Sequence, residues 1–113
     1  MNKWDKRFME MAKGISTWSK DARHQVGAVI VNDKNIVLGT GYTGYPRGVK
    51  DVYLPSDDYT TTIINPKVYK LRVIHAELNA ILNAKCCLEG ARIYIYKYPP
   101  CAQCAGAIIQ AGI

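Results

Sequence analysis

Two short groups of residues carry the chemistry open to this sequence: His75-Ala76-Glu77 and Cys101-Ala102-Gln103-Cys104. Positions three apart in a helix lie on one side of it, so Cys101 and Cys104 can present both sulfurs in the same direction. Pro100 is placed to open that helix, and the positive helix end and a bound cation both favour thiolate over thiol. Taken alone, a Cys-x-x-Cys pair reads either as zinc ligation or as a thioredoxin-type redox pair. The redox reading expects the pair just after the first strand of its unit, whereas here it follows the third strand the sequence predicts. His75, at the predicted start of another helix, supplies an imidazole, and two thiolates with one imidazole make three zinc ligands. Structural zinc takes four protein ligands; catalytic zinc takes three and keeps a position open. Cys86 and Cys87 cannot supply a fourth, because ten helical residues from His75 is roughly 15 Å. They read as packing or partly exposed thiols. His24, the other histidine, lies in a polar stretch and reads as a solvated loop residue. Glu77 is two positions from His75 and on a different helical face. It suits proton transfer to and from a metal-activated water better than ligation. Such a set hydrolyses an electrophilic carbon that bears a leaving amine.

These residues need elements to hold them. Apolar residues at Phe8, Met9, Met11, Ala12, Ile15 and Trp18 predict an amphipathic helix from Trp4 to Trp18. Gln25 to Val31 is a nearly continuous apolar, β-branched run, which predicts a buried strand. Asn32-Asp33-Lys34-Asn35 predicts a hairpin turn, and Ile36 to Thr40 the second strand. Gly39, Gly41 and Gly44, interleaved with Tyr42 and Tyr45, mark backbone that comes close to something. Residues from Pro46 to Pro66 read as one long loop. Helical spacing returns from Val73 to Lys85, with Gly90 marking the exit. Ala91 to Tyr96 alternates as a strand, and Cys101 to Ala111 is small and apolar, as in a tightly packed helix. The order helix, strand, strand, loop, helix, strand, helix predicts one layered α/β domain over residues 1–113.

Composition narrows the classes. At 113 residues and 49% apolar content, one small domain with a real core is expected. No apolar stretch approaches a membrane span, and the first residues lack a signal-peptide core, so a soluble cytoplasmic protein is expected, with no membrane partner. Four cysteines in such a chain speak for metal or redox chemistry rather than for disulfides. A net charge of +6, spread along the chain without a long basic run, reads either as a solvated surface or as affinity for a phosphorylated ligand, more than for nucleic acid.

His75-Ala76-Glu77 together with Pro100-Cys101-Ala102-Gln103-Cys104 resembles the signature of the cytidine/deoxycytidylate deaminase superfamily. Within it, the chain is most similar to deoxycytidylate (dCMP) deaminases, those of phages included. Ser19-Lys20-Asp21, Gln25 to Val31, Gly41 to Pro46, His75 to Leu82 and Ile108 to Ile113 carry that similarity. The long segment before His75 also fits; tRNA adenosine deaminases have a much shorter one.

The resemblance implies a three-layer α/β/α fold with a central mixed sheet, and one Zn2+ held by His75, Cys101 and Cys104. It implies that zinc-bound hydroxide attacks C4 of dCMP while Glu77 shuttles the proton, giving dUMP for thymidylate synthesis. Substrate contacts fall on Lys20, Arg23, Val26, Thr43, Gly44 and Ala76, with Lys20 and Arg23 near the phosphate. A homo-oligomer, often a hexamer, is implied, with dCTP and dTTP as effectors and Mg2+ accompanying the triphosphate. Two departures stand out. Thr43 occupies a position where the family usually carries Asn, so the contact there must change. The sequence ends at Ile113, where relatives continue through strands that complete the sheet; those strands are expected to be missing from this chain. Two other readings remain: deamination of another base (tRNA adenosine, cytosine or guanine), and a non-catalytic zinc module that binds nucleotides. Glu77 discriminates against the last, since a binding module has no need of that carboxylate.

Overall fold

The computed structural model describes residues 1–21, 24–47, 59–64 and 67–113, with only the backbone described in 59–72. Its elements are α1 (Lys3–Ser16), β1 (Gly27–Val31), β2 (Val37–Tyr42), β3 (Tyr59–Ile64), β4 (Lys67–Arg72), α2 (Ala76–Ala84), β5 (Arg92–Tyr96) and α3 (Ala102–Gln110).

β1 is the axis of the fold. All five of its residues are buried, because it is central in the sheet order β2-β1-β5 and covered on both faces. Successive side chains of a strand point to opposite faces. Accordingly Ala28 and Ile30 pack with Ala76, Ala80, Leu88 and Ala91 on the side of α2. Val29 and Val31 pack with Phe8, Ala12 and Ile15 of α1 on the other. β5 divides the same way, Ile93 and Ile95 toward the first cluster and Tyr94 and Tyr96 toward the second. Helix, sheet and helix thus form three layers, as expected. Ile30, Val29 and Val31 are the largest fully buried side chains; truncating Ile30 to Ala would cost about 2–5 kcal/mol.

Local chemistry explains the element ends. Asn2 caps α1, its Oδ1 accepting from the Asp5 N–H at 2.8 Å. The Asn32 side chain accepts from the Lys34 and Ile36 N–H groups, both at 2.9 Å, and Asn35 takes φ 61°, which closes the β1–β2 hairpin.

The structure corrects four expectations. α1 stops at Ser16, and Trp18 is an exposed residue beyond it. α2 begins at Ala76 rather than Val73, because Ile74 is extended and exchanges two backbone hydrogen bonds with Gly44. It ends at Ala84, with Lys85 in the left-handed region at φ 56°, so Gly90 belongs to a later turn. The segment read as one loop to Pro66 contains an antiparallel hairpin, β3 against β4, in register from Tyr59↔Arg72 to Ile64↔Lys67. This hairpin is a separate two-stranded sheet. Among the described residues every pairing is antiparallel, β1 with both β2 and β5; the parallel pairing that a mixed sheet requires is not among them.

The glycines of β2 explain how α2 comes so close to the sheet. A Cβ on Gly41 would lie 2.3 Å from the Ala76 carbonyl oxygen, and one on Gly39 2.5 Å from that of Ala80. The approach marked by those glycines is therefore to the helix backbone itself. Asn79 and Asn83 tie the two together, each donating a side-chain N–H to a β2 carbonyl, Tyr42 at 2.8 Å and Thr40 at 3.2 Å.

Candidate metal centre and active-site cavity

Two helix starts meet at the site. Cys101 is the N-cap of α3, with extended backbone, and its Sγ accepts from the Cys104 N–H at 3.4 Å. His75 holds the N-cap position of α2 and makes no side-chain cap hydrogen bond. Its ring is turned to α3, with Nδ1 3.3 Å from Cys104 Sγ and 3.5 Å from Cys101 Sγ. The Gly44–Ile74 bridge, 2.7 and 3.2 Å long, fixes the backbone leading into His75.

The donor set fits zinc. One nitrogen and two sulfurs lie within 4.8 Å of one another. Zn–S and Zn–N bonds of ordinary length at a tetrahedral angle would set N and S about 3.5 Å apart, close to the separations observed. Two thiolates and an imidazole are also the borderline-soft ligands zinc prefers. Cys86 and Cys87 are exposed beyond the far end of α2 and take no part.

The two thiols differ. The Cys104 N–H directed at its sulfur holds the Cys101 thiol below its ordinary value, with burial and the Glu77 charge opposing. Burial pushes the Cys104 thiol up to about 12, helped by its hydrogen bond with Cys101 and by the Glu77 charge. Without a cation Cys104 is a buried neutral thiol; a divalent ion reverses that preference.

Glu77, in the first turn of α2, is only 4% exposed. It lines a cavity of about 390 Å³ together with His24, Val26, Thr43, His75, Ala76, Tyr98, Pro99 and Cys101. Thr43 is fixed there by its backbone: its N–H donates to the Val26 carbonyl at 3.3 Å, and its carbonyl accepts from Ser19 Oγ at 2.7 Å.

Of the residues predicted to contact substrate, Val26, Thr43 and Ala76 line this cavity beside Glu77. Lys20 is exposed and is not among the described lining residues. Gly44 lines a second cavity instead. Arg23 lies outside the described residues. His24, Tyr98 and Pro99 were not foreseen. His24 precedes β1 and Tyr98 follows β5, and the register Gly27↔Tyr96 brings those two ends together; only strand pairing reveals it.

Comparison with known proteins agrees with this geometry. The family described as the cytidine and deoxycytidylate deaminase zinc-binding region matches residues 2–113, and the chain belongs to that family. It is 43% identical over 113 residues to an uncharacterized deaminase in the luxG 3′ region of Aliivibrio fischeri, covering all of this chain and 70% of that protein. It is 42% identical over 111 residues to deoxycytidylate deaminase of Homo sapiens, covering 97% of this chain and 61% of that protein. Among solved structures it is similar to dCMP deaminase of the cyanophage S-TIM5 in complex with dCMP and dUMP. There the TM-score is 0.75 at 25% identity, over the whole of this chain and 79% of that one. The chain thus spans about three fifths of the length of its human relative.

Proposed function

We propose that this protein hydrolyses the exocyclic amine of dCMP, yielding dUMP and ammonia. The observation that carries the reading is the meeting of three metal donors within 4.8 Å, at a cavity that also holds the buried Glu77. Homology to deoxycytidylate deaminases, and a structural relative described with dCMP and dUMP bound, support the choice of substrate.

The chain's own residues divide the work. His75, Cys101 and Cys104 hold the ion, and a zinc ion there supplies a water acidic enough to act as a nucleophile near neutral pH. Glu77 accepts the proton of the attacking water, passes it to ring N3 and then assists the departing amine. Glu77 takes the second proton from the new C4 hydroxyl and gives it to the amine, so one water hydrogen ends on N3 of dUMP and the other on ammonia, with no further acid needed. Ala76 and Val26 give the base an apolar bed, and Thr43 Oγ1 offers the sugar a hydroxyl where relatives offer an amide.

The remaining features go with this reading: a single domain, cytoplasmic action in thymidylate supply, homo-oligomerisation, and control by dCTP and dTTP with Mg2+. No described helix is long and apolar enough to cross a membrane. The second cavity, about 500 Å³ and lined by Tyr45, Arg47, Asn79, Asn83 and Lys85 among others, has the size and charge for an effector nucleotide.

Spectrophotometric assay of dCMP, CMP, dCTP, cytidine and tRNA tests the proposal, with and without dCTP and dTTP. Turnover confined to dCMP is expected. Glu77→Ala should retain zinc and lose about 10²–10⁴-fold in kcat. Near-normal turnover by that variant would show that the proton takes another route.

A further inference from the structure

The cavity has a deep end and a mouth, and the exposures of its lining order them. Ala76, Thr43 and Glu77 are 0%, 3% and 4% exposed, while Tyr98 is 44% and the His24 side chain 55% exposed. The reacting carbon must lie beside Glu77, at the buried end of the lining; of the metal donors next to it, Cys104 is buried while His75 and Cys101 are exposed. A nucleotide bound that way leaves its most strongly hydrated group, the phosphate, nearest the mouth, where desolvation costs least.

His24 is the group suited to meet it. Among the described residues lining the cavity, it is the one outside the metal set that can carry a positive charge. It is also held in place. Its backbone N–H donates to Asp21 Oδ1 at 3.2 Å, and its ring Nδ1 faces Asp21 Oδ2 at 3.7 Å. Its ring stands edge-on to Tyr98, centroids 6.4 Å apart. Asp21 is buried, so the carboxylate is a fixed orienter rather than a mobile surface group. A histidine oriented through Nδ1 keeps Nε2 for a second partner.

Resting on the reading of the site as a nucleotide deaminase, we infer that His24, oriented by Asp21 and backed by Tyr98, contacts the 5′-phosphate at the cavity mouth and sets the preference for monophosphate over nucleoside. His24 is then a specificity residue of the same cavity, with no part in proton transfer, and its loss should appear in KM rather than in kcat.

The test is product binding by calorimetry on zinc-loaded protein, comparing dUMP with deoxyuridine, together with dCMP steady-state kinetics. His24→Ala should lower the preference for dUMP over deoxyuridine about tenfold and raise KM for dCMP by a similar factor, with kcat within about twofold. His24→Lys should restore part of the preference. If His24→Ala does not fold, His24→Gln removes the imidazole while keeping a polar side chain, and gives the same reading. An unchanged preference, or equal loss of dUMP and deoxyuridine binding, overturns the inference. Wild-type protein that binds dUMP but does not deaminate dCMP would refute the proposed reaction while the binding comparison still decides the role of His24.

Discussion

A pair of cysteines lies near each end of α2, and the two pairs have opposite fates. At its N-terminal end, His75 and the buried Ala76 and Glu77 meet Cys101 and Cys104 of α3. At its C-terminal end, Lys85 turns the chain through the left-handed region, and Cys86 and Cys87 stand exposed. Thiols lie near both ends, and among the described residues one pair, that of α3, is grouped with an imidazole as metal donors could be. The difference is geometric: Cys101 and Cys104 share one helical face at a helix start that faces an imidazole, whereas adjacent residues such as Cys86 and Cys87 have no such common direction.

Exchanging thiols at the two ends is the strongest test. Cys104→Ser should abolish stoichiometric zinc and lower dCMP turnover by at least about 10³-fold. Cys86→Ser and Cys87→Ser should stay within about twofold of wild type and retain the ion. With zinc bound, a thiol reagent should modify Cys86 and Cys87 quickly, and Cys101 and Cys104 only after chelation. Zinc lost on replacing Cys86 would break the comparison.

The glycines of β2 allow a finer cut, because each lies under a different part of α2. Gly41 approaches Ala76 and Ala80, next to the site, whereas Gly39 approaches Ala80 and Ala84, toward the other end. A methyl group at either position meets backbone that cannot yield without moving the helix, at a cost of about 1–3 kcal/mol or more. Both Gly41→Ala and Gly39→Ala should therefore unfold at lower denaturant. Only Gly41→Ala should also weaken zinc binding and turnover, by displacing the start of α2. Equal activity loss in the two variants would mean that α2 moves as a rigid rod.

How far these ends could be read from the sequence follows the same division. Ligand spacing, Pro100 before Cys101 and the His-x-Glu step are local patterns, so they are visible in one dimension. The glycines were legible as close approaches, but not their partner, since α2 lies 35 and more residues downstream. The β3–β4 hairpin was obscured because Thr60, Thr61 and Thr62 are polar as well as β-branched, and two prolines, Pro55 and Pro66, punctuate the stretch. β-branching outweighed polarity once a local partner strand was available. His24 looked like an ordinary loop residue, since its place beside Tyr98 depends on the β1–β5 register.

The thiols also predict a pH effect confined to the metal end. In metal-free protein the Cys104 thiol sits at about 12 against an ordinary 9.0. Between those values the unfolded chain has released this proton and the folded one retains it, so stability falls as pH rises from about 9 toward 12. Cys101 shifts the other way and has finished contributing below that window. The melting temperature of chelator-treated protein should fall more steeply above pH 9 than that of Cys104→Ala. Zinc-loaded protein, whose thiols are already deprotonated, should lack the difference. Matching slopes for Cys104→Ala and wild-type metal-free protein would place the buried proton elsewhere.

The smallest effect belongs to the far end. Lys85 adopts φ 56° as the residue closing α2, a conformation that costs a residue with a Cβ about 1 kcal/mol relative to glycine. Lys85→Gly removes that strain, and greater freedom of the unfolded chain gives part of it back. A net gain of a few tenths of a kcal/mol, about one or two degrees in melting temperature, is expected. Zinc content should be unchanged, because Lys85 lies at the end of α2 opposite His75. A gain in stability with unaltered zinc content would show that the end of α2 carrying exposed thiols can be rebuilt without disturbing the end that carries the chemistry. A loss of zinc would show that the left-handed turn at Lys85 helps to set the position of His75.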